Sequence, residues 1–270
     1  MKSILLHVQD DAGLDARLQA ALSIVRASGG HLTCLHVTPI NIYVGYDGLG
    51  GGTAMPSIYG ILEEHESKMR ARIEGQLAHE DISWDYERTI GDPAQMLVGS
   101  ASLADLIVLG RDQHRENFYT SLSLIGDALQ SARTPILVQP EELTVFDPFG
   151  VALVAWNGSF EAANALRAAM PLLKYASDVH IVTVEESKDH LLPSTAASTY
   201  LSRHGVTSEL HTKSANEVAV NDVILTTAKI VDAKYLVMGG YGHSRAREFL
   251  FGGVTRSLLK VCPISLIMAR

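Results

Sequence analysis

The sequence has few of the features that mark secreted or membrane-spanning proteins. It contains two cysteines, Cys34 and Cys262. Each lies in an apolar, strand-like stretch, which favours two buried thiols over a disulfide. No stretch reaches the roughly 18 uninterrupted apolar residues that a membrane-spanning helix needs. The N-terminal sequence MKSILLHVQDD runs from a short apolar stretch into acidic residues, so we expect no signal peptide.

Positive charge is also scarce. The 270 residues carry 22 Lys and Arg against 30 Asp and Glu, a formal net charge of −8. This balance disfavours a general surface for nucleic acid or for anionic membranes. With 47% hydrophobic and 19% charged residues, the chain has enough apolar material for a packed core. We therefore expect a folded cytoplasmic protein that binds neither nucleic acid nor membrane.

Several catalytic and metal-binding patterns are missing as well. The sequence has no G-x-x-x-x-G-K-[ST], G-x-S-x-G or G-x-G-x-x-G motif, and no nucleophile with an evident base. Its eleven histidines include no H-x-x-x-H pair, which disfavours a zinc site. We interpret those in strand-like stretches as core or strand-end residues and those in a charged helix as solvated: the first are His7, His31, His36 and His180, the second His65 and His79. The sequence predicts no catalytic residues and no metal ligands.

An internal repeat is the most informative feature that is present. Residues 104–139 and 233–269 each read as an apolar strand, a glycine, a polar loop with one histidine, a second glycine, an amphipathic helix, a proline and a final strand. The offset of about 126 to 129 residues has the length of a domain, so we infer a tandem duplication. The segment PEELTVFDPFG, residues 140–150, is the natural boundary. We expect domains over residues 1–143 and 149–270.

Each half alternates strands with helices. Continuously apolar strands such as LIVLG and YLVMGG indicate a parallel sheet covered on both faces. Asp92 before Pro93, and Asn216 before Glu217, are typical of helix N-termini. The halves differ at a glycine run, residues 48–52, which we interpret as a linker although a lid stays open. The paired strands are 3–9 with 151–157, 31–37 with 178–184, and 84–91 with 208–215; the first pair is followed by helices near 14–25 and 160–173.

Glycines cluster after the strand YLVM. Ligands of doubly wound sheets bind beyond the carboxyl ends of the strands. Glycine there permits positive φ and lets backbone N–H groups approach a phosphate. Further on, a glycine pair opens a helix whose unpaired N–H groups favour an anion. The strand is followed by Gly239, Gly240 and Gly242, the helix is opened by Gly252, Gly253, Val254 and Thr255, and positive charge between them would come from His243, Arg245 and Arg247.

The spacing Gly239-x2-Gly242-x9-Gly252 resembles the motif G-x2-G-x9-G, followed by Ser or Thr, of ATP-binding universal stress proteins. The order of strands and helices is similar to that family over essentially the whole chain. The resemblance implies an α/β fold of two tandem doubly wound five-stranded parallel sheets, a Rossmann-like three-layer arrangement of the adenine nucleotide alpha hydrolase type. It also implies that the final strands, TPILVQ and PISLIMA, pair across a two-fold axis, so that one chain forms a pseudo-dimer. A homodimer of whole chains stays open.

The resemblance further implies a nucleotide site in the second half. Two positions depart from the family pattern: Asn157 stands in place of an Asp, and Gly253 in place of a Ser or Thr. Losing a hydroxyl contact costs about 0.5–1.5 kcal/mol, so Gly253 would weaken binding up to about tenfold. The implied site comprises Ala155, Trp156 and Asn157 beside the adenosine, Val184 and Met238 as apolar walls for adenine, and Gly239, Gly242, His243, Arg245, Gly252, Gly253, Val254 and Thr255 around the phosphates.

The first half departs further from that motif. Gln113 stands where the second loop glycine belongs, and the spacing to Gly126 is longer. We place Asp127 at the start of the following helix, where its charge would repel a phosphate. We therefore expect the first half to bind no triphosphate.

Together these features predict a cytoplasmic universal stress protein whose second half binds ATP, with or without Mg²⁺, in a regulatory or protective role. Two alternatives stay open. One is a nucleotide-free scaffold or interaction protein in which both sites are degenerate. The other is a slow ATPase that relies on backbone N–H groups, Thr255 and a bound magnesium ion.

Overall fold

A computed structural model describes residues 1–39, 55–111, 121–185, 192–214, 218–240 and 253–270. Several residues singled out in the sequence lie outside these ranges, namely the glycine run 48–52, Gln113, Asn216, Glu217, Gly242, His243, Arg245, Arg247 and Gly252. Strands and helices alternate along both halves of the chain. The predicted α/β class is confirmed.

The first half contributes five strands and four helices to the part of the chain that the structure describes. They are β1 (Ser3–Val8), α1 (Leu14–Ser28), β2 (His31–Pro39), α2 (Met55–Leu77), β3 (Ser83–Gly91), α3 (Pro93–Ser100), β4 (Leu106–Arg111), α4 (Ser121–Ser131) and β5 (Ile136–Pro140). The second half contributes an equal set. These are β6 (Ala152–Ala155), α5 (Phe160–Leu173), β7 (Val179–Glu185), α6 (Thr195–Arg203), β8 (Glu209–Ser214), α7 (Val220–Ile230), β9 (Tyr235–Gly239), α8 (Gly253–Val261) and β10 (Ser265–Ala269).

All ten strands form one continuous sheet in the order β3-β2-β1-β4-β5-β10-β9-β6-β7-β8. Each half has the same internal order, and all of its neighbouring strands are parallel. The halves meet where β5 and β10 pair antiparallel, with Leu137 opposite Ile267. This is the pairing of the final strands that the resemblance to universal stress proteins implied.

The sheet separates two apolar cores. Helices α1, α2, α5 and α6 cover one face, and their side chains pack with Ile4, Leu6 and Val237. Helices α3, α4, α7 and α8 cover the other face, against Leu5, Leu153 and Met268. Because alternate residues of a strand point to opposite faces, a strand buried on both sides must be apolar throughout. The two cysteines lie in these cores as free, buried thiols, as expected.

Hydrogen bonds from buried side chains reinforce the junction between the halves. The Ser265 hydroxyl donates to Gln139 Oε1 at 2.6 Å, and both residues are fully buried. The Arg111 guanidinium crosses the junction and donates to the carbonyls of Leu259, at 3.2 Å, and Cys262, at 2.8 Å. These carbonyls lie at the end of α8, where a cation is favoured by the helix dipole.

Of the three predicted helix starts, one was confirmed, one was wrong and one lies outside the described residues. The Asp92 carboxylate accepts from Gln95 N at 2.9 Å and caps α3. Helix α7 follows Ala219, which is extended at φ −65° and ψ 141°, whereas Asn216 and Glu217 lie outside the described residues. Asp127 does not open α4, because that helix already runs from Ser121.

No helix in the described ranges is both long enough and apolar enough to cross a membrane.

Candidate functional site

The carboxyl ends of β6, β7 and β9 meet at one edge of the second half. Ala155 pairs with Met238 of β9 and with Val182 of β7, and Val184 lies two residues further along β7. All of these side chains belong to the same core face. The structure thus brings together Ala155, Val184 and Met238, the apolar part of the site inferred from the sequence.

Trp156 does not join this group. Strand alternation turns its side chain to the opposite face, where it is 4% exposed and packs in the other core. Its indole N–H donates to the carbonyl of Pro193 at 3.2 Å. Trp156 is therefore a core residue with a satisfied hydrogen bond, and its side chain lies on the opposite face of the sheet from Ala155, Val184 and Met238.

Asn157 has a local structural role before α5. Its side-chain oxygen accepts from Ser159 N at 3.2 Å and shapes the turn that leads into α5. The chain passes through Gly158 at φ 70°, a left-handed conformation that favours glycine. Ser159 then caps the helix by accepting from Ala162 N at 3.1 Å. The amide oxygen of Asn157 thus serves the start of α5.

Close packing and a backbone hydrogen bond, not a positive φ, explain the structural roles of Gly239 and Gly240. A Cβ on Gly239 would come within 2.6 Å of Ala162 N and 2.7 Å of Glu161 C, so the first turn of α5 packs directly on this glycine. The N–H of Gly240 donates to Ala269 O of β10 at 2.8 Å. Neither residue adopts a left-handed conformation. The prediction that they free backbone amides for a phosphate was wrong for Gly240, whose amide is bound within the fold.

Helix α8 begins at Gly253 in the part of the chain that the structure describes. Gly253 is exposed, and a Cβ there would meet no atom of the described residues within 4 Å. Val254 is partly buried and Thr255 is buried. The first N–H groups of a helix have no partner inside the helix, and the dipole favours negative charge there. Because α8 leads back from β9 to the parallel strand β10, its N-terminus lies at the same edge as Met238.

The corresponding edge of the first half carries many ionisable side chains, unlike the apolar edge of the second half. A cavity of about 330 Å³ opens there, and its lining is rich in ionisable side chains. Arg17, only 2% exposed, donates to both carboxylate oxygens of Asp11, at 2.8 and 3.1 Å, and to Gln9 O at 3.1 Å. A Cβ on Gly110 would lie 2.2 Å from Arg17 Nη1. The guanidinium therefore covers the glycine that matches Gly239.

Two buried histidines line the same cavity. Burial, with smaller contributions from the charge of Arg17 and from His36, lowers the pKa of His7 to about 3. Burial also lowers the pKa of His36, against the opposing effect of Glu66. His36 Nδ1 lies 2.8 Å from the hydroxyl of Tyr86. Both imidazoles are therefore neutral at pH 7, in agreement with their interpretation as core residues.

A buried carboxylate completes this lining. Glu66 is 5% exposed, accepts a hydrogen bond from the Thr38 hydroxyl and lies 2.5 Å from Arg88 Nη2. The sequence analysis missed Glu66 and Arg17. For Arg17 a signal was present, because in LDARLQAAL the arginine falls on the apolar side of the helix, next to Leu14 and Leu18. A charge there needs a buried partner.

Asp127, expected to repel phosphate at the start of α4, lies instead in the second turn of that helix. Burial, and then the charge of Asp92, raise the pKa of its carboxyl. The expectation that the first half binds no triphosphate therefore loses this support.

Comparison with known proteins agrees with the architecture. No family model and no curated protein matches the chain. Among solved structures, a universal stress protein from Archaeoglobus fulgidus DSM 4304 superposes with a TM-score of 0.76 and 17% identity, covering 99% of this chain and 97% of the other. A candidate universal stress protein from Pseudomonas aeruginosa UCBPP-PA14 gives 0.64, with 17% identity and coverage of 100% and 93%. A functionally unknown protein from Pseudomonas aeruginosa PAO1 gives 0.61, with 16% identity and coverage of 100% and 92%. The predicted resemblance to universal stress proteins is confirmed as a shared fold over the whole chain.

Proposed function

We propose that this chain is a tandem universal stress protein that acts in the cytoplasmic stress response and binds an adenine nucleotide, ATP, through its second half. The proposed domains are residues 1–143 and 149–270, held as an intramolecular pseudo-dimer through β5 and β10. The shared fold supports the general assignment. The observation that carries the nucleotide site is the exposed α8 N-terminus at Gly253, on the edge where the apolar ends of β6, β7 and β9 meet.

In this proposal the adenine packs against Val184 and Met238, which are mostly buried and form an apolar wall with Ala155. The phosphates lie at the N–H groups of Gly253, Val254 and Thr255, where the helix dipole favours an anion. Trp156 and Gly240 are removed from the site, because the first packs on the other face and the amide of the second is bound to Ala269. Gly242, His243, Arg245 and Gly252 remain part of the proposal, outside the described residues.

A nucleotide-free interaction protein is the second candidate. The observation that favours it is the close packing of Gly239 on α5, which explains this glycine without a ligand. The local role of Asn157 in the turn before α5 points the same way. In this second candidate function the chain has the fold of universal stress proteins but binds no nucleotide.

Calorimetric titration of the full chain with ATP, with and without Mg²⁺, separates the two candidates. Gly253→Ser restores the hydroxyl of the family pattern in open space, and we expect up to about tenfold tighter binding. Gly253→Asp places a carboxylate at the helix N-terminus, where it competes with phosphate, and we expect at least about tenfold weaker binding.

Gly75 provides the matched control. It is exposed in α2 of the first half, and a Cβ there would also meet no atom within 4 Å among the residues that the structure describes. Gly75→Ser and Gly75→Asp should leave ATP affinity unchanged. If the chain ignores millimolar ATP, or if the Gly253 variants bind like the Gly75 variants, nucleotide binding at α8 is wrong and the interaction protein is favoured.

A further inference from the structure

Three metal-ligand side chains converge on the outer strands of the second half, away from the proposed nucleotide site. His180 is the second residue of β7 and pairs in register with Glu209, the first residue of the edge strand β8. His211 follows two residues after Glu209, and strand alternation returns it to the same face. The three residues therefore meet near the amino ends of β7 and β8, opposite the edge that holds α8's N-terminus.

The ligand atoms of this group lie close together. His180 Nδ1 is 2.9 Å from His211 Nε2. The Glu209 carboxylate reaches both rings, with Oε2 at 3.6 Å from His180 Nδ1 and Oε1 at 3.8 Å from His211 Nε2. Among the described residues this is the group of three or more His, Cys, Asp or Glu side chains whose ligand atoms all lie within 4.8 Å of one another.

These separations fit a tetrahedral zinc ion. Zn–N and Zn–O bonds of about 2.0–2.2 Å place neighbouring ligands of a tetrahedron roughly 3.3–3.6 Å apart. The three distances of 2.9, 3.6 and 3.8 Å bracket that value. A shift of a few tenths of an ångström in the side chains would therefore complete the geometry without backbone movement.

Exposure also suits a bound ion. The side chains of His180 and His211 are 16% and 19% exposed, whereas Glu209 is 68% exposed. The imidazoles are thus held by the strands while the carboxylate side faces water, which can supply the fourth ligand. Neutral imidazole nitrogen and carboxylate oxygen are a donor set that Zn²⁺ uses widely.

The first half lacks this site, which provides an internal reference. Its equivalent strand pair, β2 and β3, places Thr33 opposite Asp85 and Leu35 opposite Glu87. The acid at the position of Glu209 is retained, but both histidine positions hold other residues. Asp85 instead lies 2.9 Å from His31 Nε2. The two imidazoles are therefore a feature of the second half alone.

We propose that His180, Glu209 and His211 form a Zn²⁺ site that ties the edge strand β8 to β7. This differs from the sequence-based interpretation of His180 as a strand-end residue without ligand partners. For both rings to bind, the facing nitrogens must carry no proton, so the proton shared between His180 and His211 moves to an outer ring nitrogen. The site is independent of the proposed nucleotide binding.

Zinc titration of the full chain, first stripped with a chelator, tests the site. With Zn²⁺ alone, in competition with a chromophoric chelator, we expect one tight site per chain. Loss of a residue that merely orients a ligand costs about 10–100-fold in metal affinity, so His180→Ala and His211→Ala should each weaken the site at least about 100-fold. His204→Ala is the matched control, because His204 is an exposed histidine of the same half that stacks on Tyr200 instead, and it should bind like the parent.

A third variant protects the test against misfolding. Glu209→Gln changes an exposed side chain and keeps its size, so the fold should be retained. We expect at least about tenfold weaker zinc binding and loss of the rise in Tm that zinc gives the parent. X-ray absorption of the zinc-loaded parent should show two imidazoles in the first coordination shell. Absence of tight binding, or a tight site unchanged by all three substitutions, would overturn the proposal.

Discussion

The two halves share one topology yet have different chemistry at the carboxyl ends of their strands. In the first half this edge holds Arg17, Asp11, His7 and Glu66 around a cavity of about 330 Å³. In the second half the residues at the positions of His7 and Arg17 are Ala155 and Ala165.

Both halves nevertheless have an apolar wall at this edge, formed by Val37 and Leu109 in the first half and by Val184 and Met238 in the second. The comparison shows that core packing restricts the residue types inside the strands, whereas the residue types at the strand ends differ between the halves. Each side chain inside a strand lies in one of the two cores, so a polar replacement there leaves a buried polar group unsatisfied. Side chains at the ends face a crevice, where ionisable groups can pair with one another or with water.

Removing the buried ion pair of the first half should have the largest effect. Arg17 and Asp11 are 2% and 5% exposed, and deletion of one partner leaves the other charge buried and uncompensated. We expect Arg17→Ala to lower the free energy of unfolding by about 3–5 kcal/mol, measured by urea denaturation. Arg72→Ala removes an exposed pair with Asp15 and should cost less than about 1 kcal/mol. Equal losses would show that the Arg17 pair is not the feature that stabilises this edge.

The two glycines that follow β4 and β9 should respond unequally to the same substitution. In Gly239→Ala the new methyl group meets the backbone of α5, which cannot move aside, and we expect a loss of about 2–3 kcal/mol. In Gly110→Ala it meets the end of the Arg17 side chain, which can shift, so we expect a smaller loss of about 1 kcal/mol. Thermal and urea unfolding of both variants would check the order, and a larger loss for Gly110→Ala would contradict the packing described for α5.

Acid should destabilise the protein through His7, which has no ionisable counterpart in the second half. Its pKa falls to about 3 in the folded state, against about 6.5 in an unfolded chain. The unfolded state therefore binds a proton that the folded state rejects. This contribution to stability is complete above about pH 6.5 and is lost as the pH falls towards 3.

Between pH 7 and pH 5.5 this loss amounts to about 1 kcal/mol. We expect His7→Gln to reduce the decline in unfolding free energy over that interval by this amount, as followed by urea denaturation at the two pH values. His79→Gln changes an exposed histidine and should decline as the parent does. A His7→Gln variant with the parent's pH dependence would mean that His7 takes up its proton in the folded state.

Much of the fold was predictable from the sequence because its signals are local. Continuous apolar stretches such as LIVLG predicted strands buried on both faces, and the repeat predicted two units with the same order of elements. The Asp92–Pro93 pair correctly predicted the start of α3. The Asp127 prediction failed, because a helix start depends on where the chain leaves the preceding segment as well as on the residue type.

The candidate site was less predictable, since its residues come from separate elements. A glycine motif read along the chain suggested free amides, but the partners of Gly239 and Gly240 lie on α5 and β10. Trp156 and Asn157 were placed by resemblance, and strand alternation and a local turn gave them other roles. The His180, Glu209 and His211 group has no compact spacing in the sequence, so only the register of β7 against β8 brings it together.

The amino-acid sequence by itself indicated the duplication and the α/β class, because apolar periodicity and the repeated order of elements can be read from neighbouring residues, whereas the pairing of the two final strands was implied by the resemblance to universal stress proteins. The tertiary structure alone decided which backbone amides are already bonded, which charges are buried together and which histidines share a face. These properties depend on distances between segments far apart in the chain, and those distances exist only once the sheet has formed.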